Sequence, residues 1–340
     1  MTSLGFVGGG FVAQIAHLPC FHSIDDVEIA YLAEPYRDLR DYLAKTYSIN
    51  SCVATHRELP DSSFLDGVVV TLPRRLSYGV LKDLVRKSHT ILTEKPLCLD
   101  LTHAQELLRL SEQHCAKINV GYMRRYDPAV VEFKKLINQL QADSIVSVNA
   151  VCHMGNSYAK PFDSRKGFVC DEIYNNLEQY PGWLHETLHT SYEQFLNVFS
   201  HITDLAETLL EGRISILDHS IDQNGEGLLL ARIGDIPIVF DLMRGQQHKW
   251  RESITVNAHH QTIRLVLGPA FLRNNPGSIE IESGLDSITD SRLTPNWGWS
   301  FRNQALSFVE SLYKPCYQVP DTLASAIRQI SLAETIFKSL

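Results

Sequence analysis

Three features of the 340-residue sequence predict an α/β chain of two domains. Short apolar strands and helices alternate through the first third. Seven longer alternating segments follow. The length exceeds the roughly 250–300 residues that one hydrophobic core usually serves. The expected division is a parallel, doubly wound sheet over 1–123 and an α+β domain with a large, mostly antiparallel open sheet over 124–340.

The elements follow from local pattern. Leu4–Val7 reads as a buried strand that ends in three glycines, and Phe11 to Cys20 as a helix that Pro19 closes. Val27–Ala33 is a strand, Tyr36–Tyr47 an amphipathic helix, Gly67–Leu72 an apolar strand and Tyr78–Lys87 a helix. Thr90–Thr93, the Leu101–His114 helix and Ile118–Tyr122 complete the βαβ rhythm. Beyond residue 125, Ile145–Cys152, Arg213–Ile221, Gly227–Ile233, Ile236–Leu242, Ser253–Ala258, Thr262–Leu267 and Ser278–Glu282 alternate apolar and polar residues, with turn residues such as Gly234-Asp235 between them. Helices are expected at Ala129–Leu140, Glu193–Leu210, Phe301–Tyr313 and Leu323–Leu340. Lys160 to Glu193 has no clear period and reads as a loop or lid.

Composition narrows the class. A net charge of −8 speaks against a nucleic-acid footprint, which needs a clustered basic excess. Cys20, Cys52, Cys98, Cys115, Cys152, Cys170 and Cys316 are odd in number and irregularly spaced, with no C-x-x-C, which fits a reducing compartment. No basic leader or apolar run of about 18 residues is present, so a cytoplasmic chain without membrane partner is expected.

Gly8-Gly9-Gly10-Phe11-Val12-Ala13 matches G-x-G-x-x-A between a strand and a helix. Gly8 permits the tight turn, Gly10 a close backbone approach to a pyrophosphate, and Ala13 close helix packing. The helix N-terminus there favours phosphate, so a Rossmann dinucleotide site is expected. Glu34 ends the second strand, 21 residues after Ala13, where a carboxylate accepts both ribose hydroxyls and repels a 2′-phosphate. NAD is therefore expected as cofactor. Arg37 and Arg40 just beyond would tolerate a phosphate and keep NADP as the alternative.

With Thr71-Leu72-Pro73, Glu94-Lys95-Pro96, Gly121–Pro128 (GYMRRYDP) and Ser300–Phe308 added to this fingerprint, the chain resembles the Gfo/Idh/MocA oxidoreductases over nearly its whole length. The resemblance implies a Rossmann domain followed by an open-sheet domain whose face mediates homodimers or homotetramers. It implies hydride transfer between a nicotinamide dinucleotide and a secondary alcohol or ketone of a sugar, sugar derivative or cyclitol. It also places Phe11, Val12, Thr71, Pro73, Glu94 and Pro96 at the cofactor, Pro96 as a candidate cis peptide, and Lys95 at both the substrate hydroxyl and the nicotinamide ribose.

Such chemistry needs a proton acceptor and a cation near the developing oxyanion. Lys95 supplies the cation. His201 is the acid–base candidate, and Asn197, four residues earlier, shares its helical face, with Asp204 nearby. The family pattern has Asp where Asn197 stands, and an amide cannot ionise. Tyr122, Arg124, His153 and Trp183 are further candidates for substrate contact. His185-Glu186-x-x-His189 matches H-E-x-x-H, but no third ligand is evident and no metal is expected. Two readings stay open beside the dehydrogenase: a catalytically silent dinucleotide-binding sensor, which Asn197 would suit, and a lyase or glycosidase that recycles its NAD.

Overall fold

The computed structural model describes residues 1–87, 89–140, 144–155, 177–245, 250–284, 289–314 and 322–340. Its chain separates into two compact units, each built on one sheet.

In the first unit six parallel strands lie in the order β3-β2-β1-β4-β5-β6: β1 (Thr2–Val7), β2 (Val27–Ala33), β3 (Ser51–Val53), β4 (Gly67–Val70), β5 (Thr90–Thr93) and β6 (Lys117–Val120). The order reverses at β1/β4, the switch point outside whose carboxyl edge such sheets bind ligands. Four consecutive buried residues in β4, Gly67 to Val70, show why an all-apolar run suits a strand covered on both faces.

The helix after β1 departs from expectation. Ala13–His17 is a π-turn, and α1 (Leu18–His22) continues from it with Pro19 in its first turn. Pro19 does not close this helix: residues 11–22 are helical without a break, and the wider π-turn just before Pro19 is where the ladder departs from the regular pattern. α2 (Arg37–Tyr47), α3 (Arg74–Arg86) and α4 (Leu101–Gln113) complete the crossovers. Asp100 caps α4 by accepting from Thr102 and His103 N–H.

This unit also takes in residues 177–183 and Gln304–Ser331, so a cut near residue 123 separates the sheets but not the compact units. The Phe308 ring meets Phe21 edge-on at 6.1 Å, and a Cβ on Gly67 would lie 3.0 Å from it. Thr322 Oγ1 accepts the Val120 N–H at 2.7 Å.

The second unit carries eight strands in the order β14-β13-β12-β11-β7-β10-β9-β8. They are β7 (Ile145–Met154), β8 (Ile214–Ile221), β9 (Gly227–Ile233), β10 (Ile236–Arg244), β11 (Arg251–Ala258), β12 (Gln261–Leu267), β13 (Ser278–Ser283) and β14 (Thr289–Leu293). Every pairing is antiparallel except β7 with β10. The helix expected over Glu193–Leu210 is two, α6 (His189–Val198) and α7 (Ser200–Leu209), meeting at Phe199. α5 (Pro128–Ile137) has Asp127 as its N-cap. Two further helices, α8 (Ser300–Tyr313) and α9 (Thr322–Phe337), close the chain. Among the described residues no helix is long and apolar enough to cross a membrane.

Candidate dinucleotide and substrate sites

The carboxyl ends of β1, β2, β4 and β5 assemble the fingerprint residues. Gly8 has φ +91°, donates to the Ala33 carbonyl at 2.9 Å and accepts the Thr71 hydroxyl at 2.8 Å. A Cβ on Gly8 would lie 2.4 Å from the Thr71 carbonyl oxygen. On Gly9 it would lie 2.4 Å from Leu43 Cδ1. The middle position, unconstrained in the motif, is thus also closed to side chains. Nothing lies within 4 Å of a Cβ built on Gly10, which is exposed. That open approach is the shape a pyrophosphate needs. Ala13 is fully buried, Phe11 and Val12 are half-buried, and Pro73 is exposed as the N-cap of α3.

Glu34 is 4% exposed, and its two oxygens accept the N–H groups of Gly9 at 2.7 Å and Tyr36 at 3.0 Å. Burial pushes its carboxyl above the usual range, against the pull of those donors and of Arg40. Sequence reasoning assigned Glu34 to ribose alone. The structure gives it a second duty, holding the glycine loop, and each carboxylate oxygen keeps a further lone pair. Arg40 donates to the Glu34 carbonyl at 2.8 Å, while exposed Arg37 lies 3.7 Å from Asp41.

Lys95 follows β5 in the Glu94-Lys95-Pro96 turn, and the Lys95–Pro96 peptide is cis. The lysine is half-buried. Desolvation brings its ammonium down to about 8; nearby Arg74 pushes the same way and Glu94 opposes. Glu94 is engaged by a residue the sequence did not reveal: His17 Nε2 lies 2.7 Å from Glu94 Oε1, and His17 is 2% exposed. The partners are 77 positions apart, so no local pattern announces them. A histidine in the helix opening immediately after a glycine loop was the available signal.

The candidates of the second unit divide. Asn197 on α6 and His201 on α7 are both half-buried. Asp204, expected beside His201, accepts Arg125 Nε at 2.9 Å and is 1% exposed. Arg124 lines a cleft with Asp127, Arg273 and Trp299, but its guanidinium is already engaged. It is 4% exposed, ion-paired with buried Glu252 and donating to the Gly268 carbonyl at 2.7 Å, and Trp250 Nε1 donates to the same Glu252 oxygen at 3.1 Å. A guanidinium buried with a carboxylate partner is retained by that partner, because separating them would strand a charge. Tyr122, in the first unit, is 2% exposed and packs in the interior rather than at a surface. His153 on β7 lies 2.9 Å from Asp241, while Trp183, in the first unit, is half-buried. His185, Glu186 and His189 do not share one helical face: His185 is an extended N-cap that accepts the Thr187 N–H, and His189 begins α6. Among the described residues no cluster of three or more metal-ligating side chains occurs. Residues 160–176 of the expected loop, Cys170 among them, and Cys316 lie outside the described residues.

Residues 2–122 match the Gfo/Idh/MocA oxidoreductase family, described as an NAD-binding Rossmann fold. The rhizopine catabolism protein MocA of Rhizobium meliloti is 29% identical over 41% of this chain and 42% of its own. Inositol 2-dehydrogenase of Rhizobium meliloti (strain 1021) is 24% identical over 39% of this chain and 40% of its own. The matches thus span about two fifths of these relatives. A solved structure covers far more: scyllo-inositol dehydrogenase from Lactobacillus casei, with bound NAD(H) and scyllo-inositol, has a TM-score of 0.72 at 16% identity over 98% of this chain and 95% of that one. Residues 2–122 thus resemble the NAD-binding Rossmann domain of the Gfo/Idh/MocA oxidoreductases, and the likeness of the rest of the chain is one of fold.

Proposed function

We propose that this protein transfers a hydride between a nicotinamide dinucleotide, NAD in preference to NADP, and a secondary alcohol or ketone of a sugar, sugar derivative or cyclitol. The observation that carries the reading is Lys95: a half-buried amine with its proton affinity lowered to about 8, in a Glu-Lys-Pro turn at the carboxyl edge of the dinucleotide-binding sheet.

Bound nicotinamide supplies the hydride acceptor or donor. Gly8, Gly10, Phe11, Val12 and Ala13 hold the pyrophosphate end, Glu34 the adenosine ribose, and Thr71, Pro73, Glu94 and Pro96 the nicotinamide side. Lys95 carries its proton at neutral pH and stabilises negative charge on the substrate oxygen as it forms. His201 takes or returns the hydroxyl proton, and Asn197 hydrogen-bonds substrate without ionising. Glu34 supports NAD because a fixed carboxylate repels a 2′-phosphate. Exposed Leu228 and Leu230 on β9 support self-association through the face of the eight-stranded sheet, which light scattering of an L230D variant would test.

The test is reduced-nicotinamide absorbance with NAD or NADP and a panel of sugars, sugar acids and inositols. Turnover is expected, and Lys95→Ala should abolish it while dinucleotide affinity falls modestly. Wild-type rates in Lys95→Ala would remove the lysine from the reaction. Tight dinucleotide binding without turnover on any substrate would favour the sensor that Asn197 suits.

A further inference from the structure

Residues 177–183 stand far from the Rossmann elements in sequence but belong to the same compact unit. Their anchor is Glu178, whose side chain is 1% exposed. Its main chain pairs with Arg75 in both directions: Glu178 N–H donates to the Arg75 carbonyl at 2.7 Å, and Arg75 Nε donates to the Glu178 carbonyl at 2.9 Å. The Arg75 guanidinium also covers the Tyr180 ring at 4.7 Å. The Glu178 carboxylate accepts the Leu99 N–H at 3.1 and 3.2 Å and lies 2.8 Å from His103 Nδ1. His103 in turn stacks on Tyr78 at 3.9 Å.

These contacts join two turns. Arg75 lies in the first turn of α3, directly after the β4 turn that carries Thr71 and Pro73. Leu99 ends the β5 turn that begins at Glu94-Lys95, and Leu97, Cys98 and Leu99 between lysine and anchor are fully buried. With its main chain bound to Arg75 and its buried carboxylate bound to Leu99 and His103, Glu178 limits the freedom of the two segments to separate, and positioning of this kind governs reactive groups several ångströms away.

We propose that Glu178 is a positioning residue that clamps the β4 and β5 turns together and thereby sets the environment of Lys95. The inference rests on the catalytic assignment of Lys95 made above, but its test needs no turnover. Competitive acetylation of the full-length protein across pH, read by mass spectrometry, reports the proton affinity and reactivity of Lys95, with exposed Lys117 on β6 as internal reference. Glu178→Ala should let the turn open to water. Lys95 then moves toward the ordinary lysine range near ~10.4, and its acetylation at pH 8 slows about tenfold or more. Lys117 should not move. Glu178→Gln keeps an acceptor for the Leu99 N–H and should restore Lys95 to within about twofold of wild type. An unchanged Lys95 profile in folded Glu178→Ala overturns the proposal. If that variant does not fold, an unchanged Lys95 profile in folded His103→Ala, which removes a side-chain partner of the buried carboxylate, overturns it. A shifted profile in a protein that turns over no substrate would leave the clamp standing while the proposed reaction fell.

Discussion

Replacing Gly8 by alanine tests the geometry of the nucleotide loop, and the structure sets the size of the effect. The residue sits at φ +91°, where a side chain costs about 1–3 kcal/mol. Its new Cβ would meet the Thr71 carbonyl oxygen at 2.4 Å, where ordinary contact begins at 3.4 Å, so about 1.0 Å of movement (3.4 − 2.4) is required. That oxygen belongs to a backbone tied to Val7 through the Thr71 N–H at 2.9 Å, and the Thr71 hydroxyl holds Gly8 itself. Displacing packed structure of this kind costs a further ~1–3 kcal/mol. The expected loss is therefore at least about 2 kcal/mol, or roughly 4–8 °C in Tm for a unit of this size. Dinucleotide affinity should fall tenfold or more, since ~1.4 kcal/mol of misplacement suffices for that. Gly10→Ala is the matched control. Its Cβ meets nothing, so stability should stay within about 0.5 kcal/mol of wild type while affinity should still drop if the phosphates approach there. Differential scanning calorimetry and isothermal titration with NAD provide both readings. Equal Tm for wild type and Gly8→Ala, or full NAD affinity in Gly10→Ala, would refute the reasoning.

Glu34→Ala should erode discrimination against NADP. It should also cost about 1–3 kcal/mol in urea melts, because the buried Gly9 N–H loses its acceptor; an unchanged cofactor preference would mean that Glu34 does not meet the ribose. Asn197→Asp restores an ionisable group beside His201: faster turnover in the absorbance assay would show that the family relay survives in this chain, and a loss would show that the amide itself recognises substrate. His89, fully buried, has its proton affinity pushed down to about 4 by burial, with Lys87 adding to it. The folded state binds that proton more weakly than the unfolded one, so the contribution is complete above pH ~6.5 and disappears as pH falls toward 4, a change of about 3 kcal/mol. A His89→Leu variant should lose that part of the acid dependence in denaturant titrations at stepped pH, and parallel curves for the two proteins would count against it.

The parallel sheet was legible because each strand carries its own signal. Gly67–Val70 is apolar throughout, and the glycine loop, Glu34 and the Glu-Lys-Pro turn all lie at strand ends, where short motifs keep their register. Periodicity could not find Ser51–Val53, three half-buried residues too short to show alternation. Nor could it find Thr289–Leu293, which is exposed at every position and so has no inner face to mark. The Pro19 misreading has a physical source: a proline within a helix is tolerated where the backbone locally departs from the i−4 ladder, as at the Ala13–His17 π-turn, and sequence does not announce such a turn. For the site, what escaped was every tie between distant segments. Nothing near Arg124 in sequence announces its partner Glu252, 128 positions later. Glu178 looks like one polar residue among many until Leu99 and His103 close around it.

The borders of the eight-stranded sheet have a consequence for solubility. A free strand edge is a template for runaway addition of further chains, and proteins spoil such edges with charge and irregularity. β14 bears Asp290 and Arg292, set opposite Glu282 and Glu280. β8 breaks register between Ile216 and Asp218, which twists that border out of line. Neither flank offers the flat, uncharged rail on which a fibril grows. The wide sheet can thus stay open without its borders recruiting further chains.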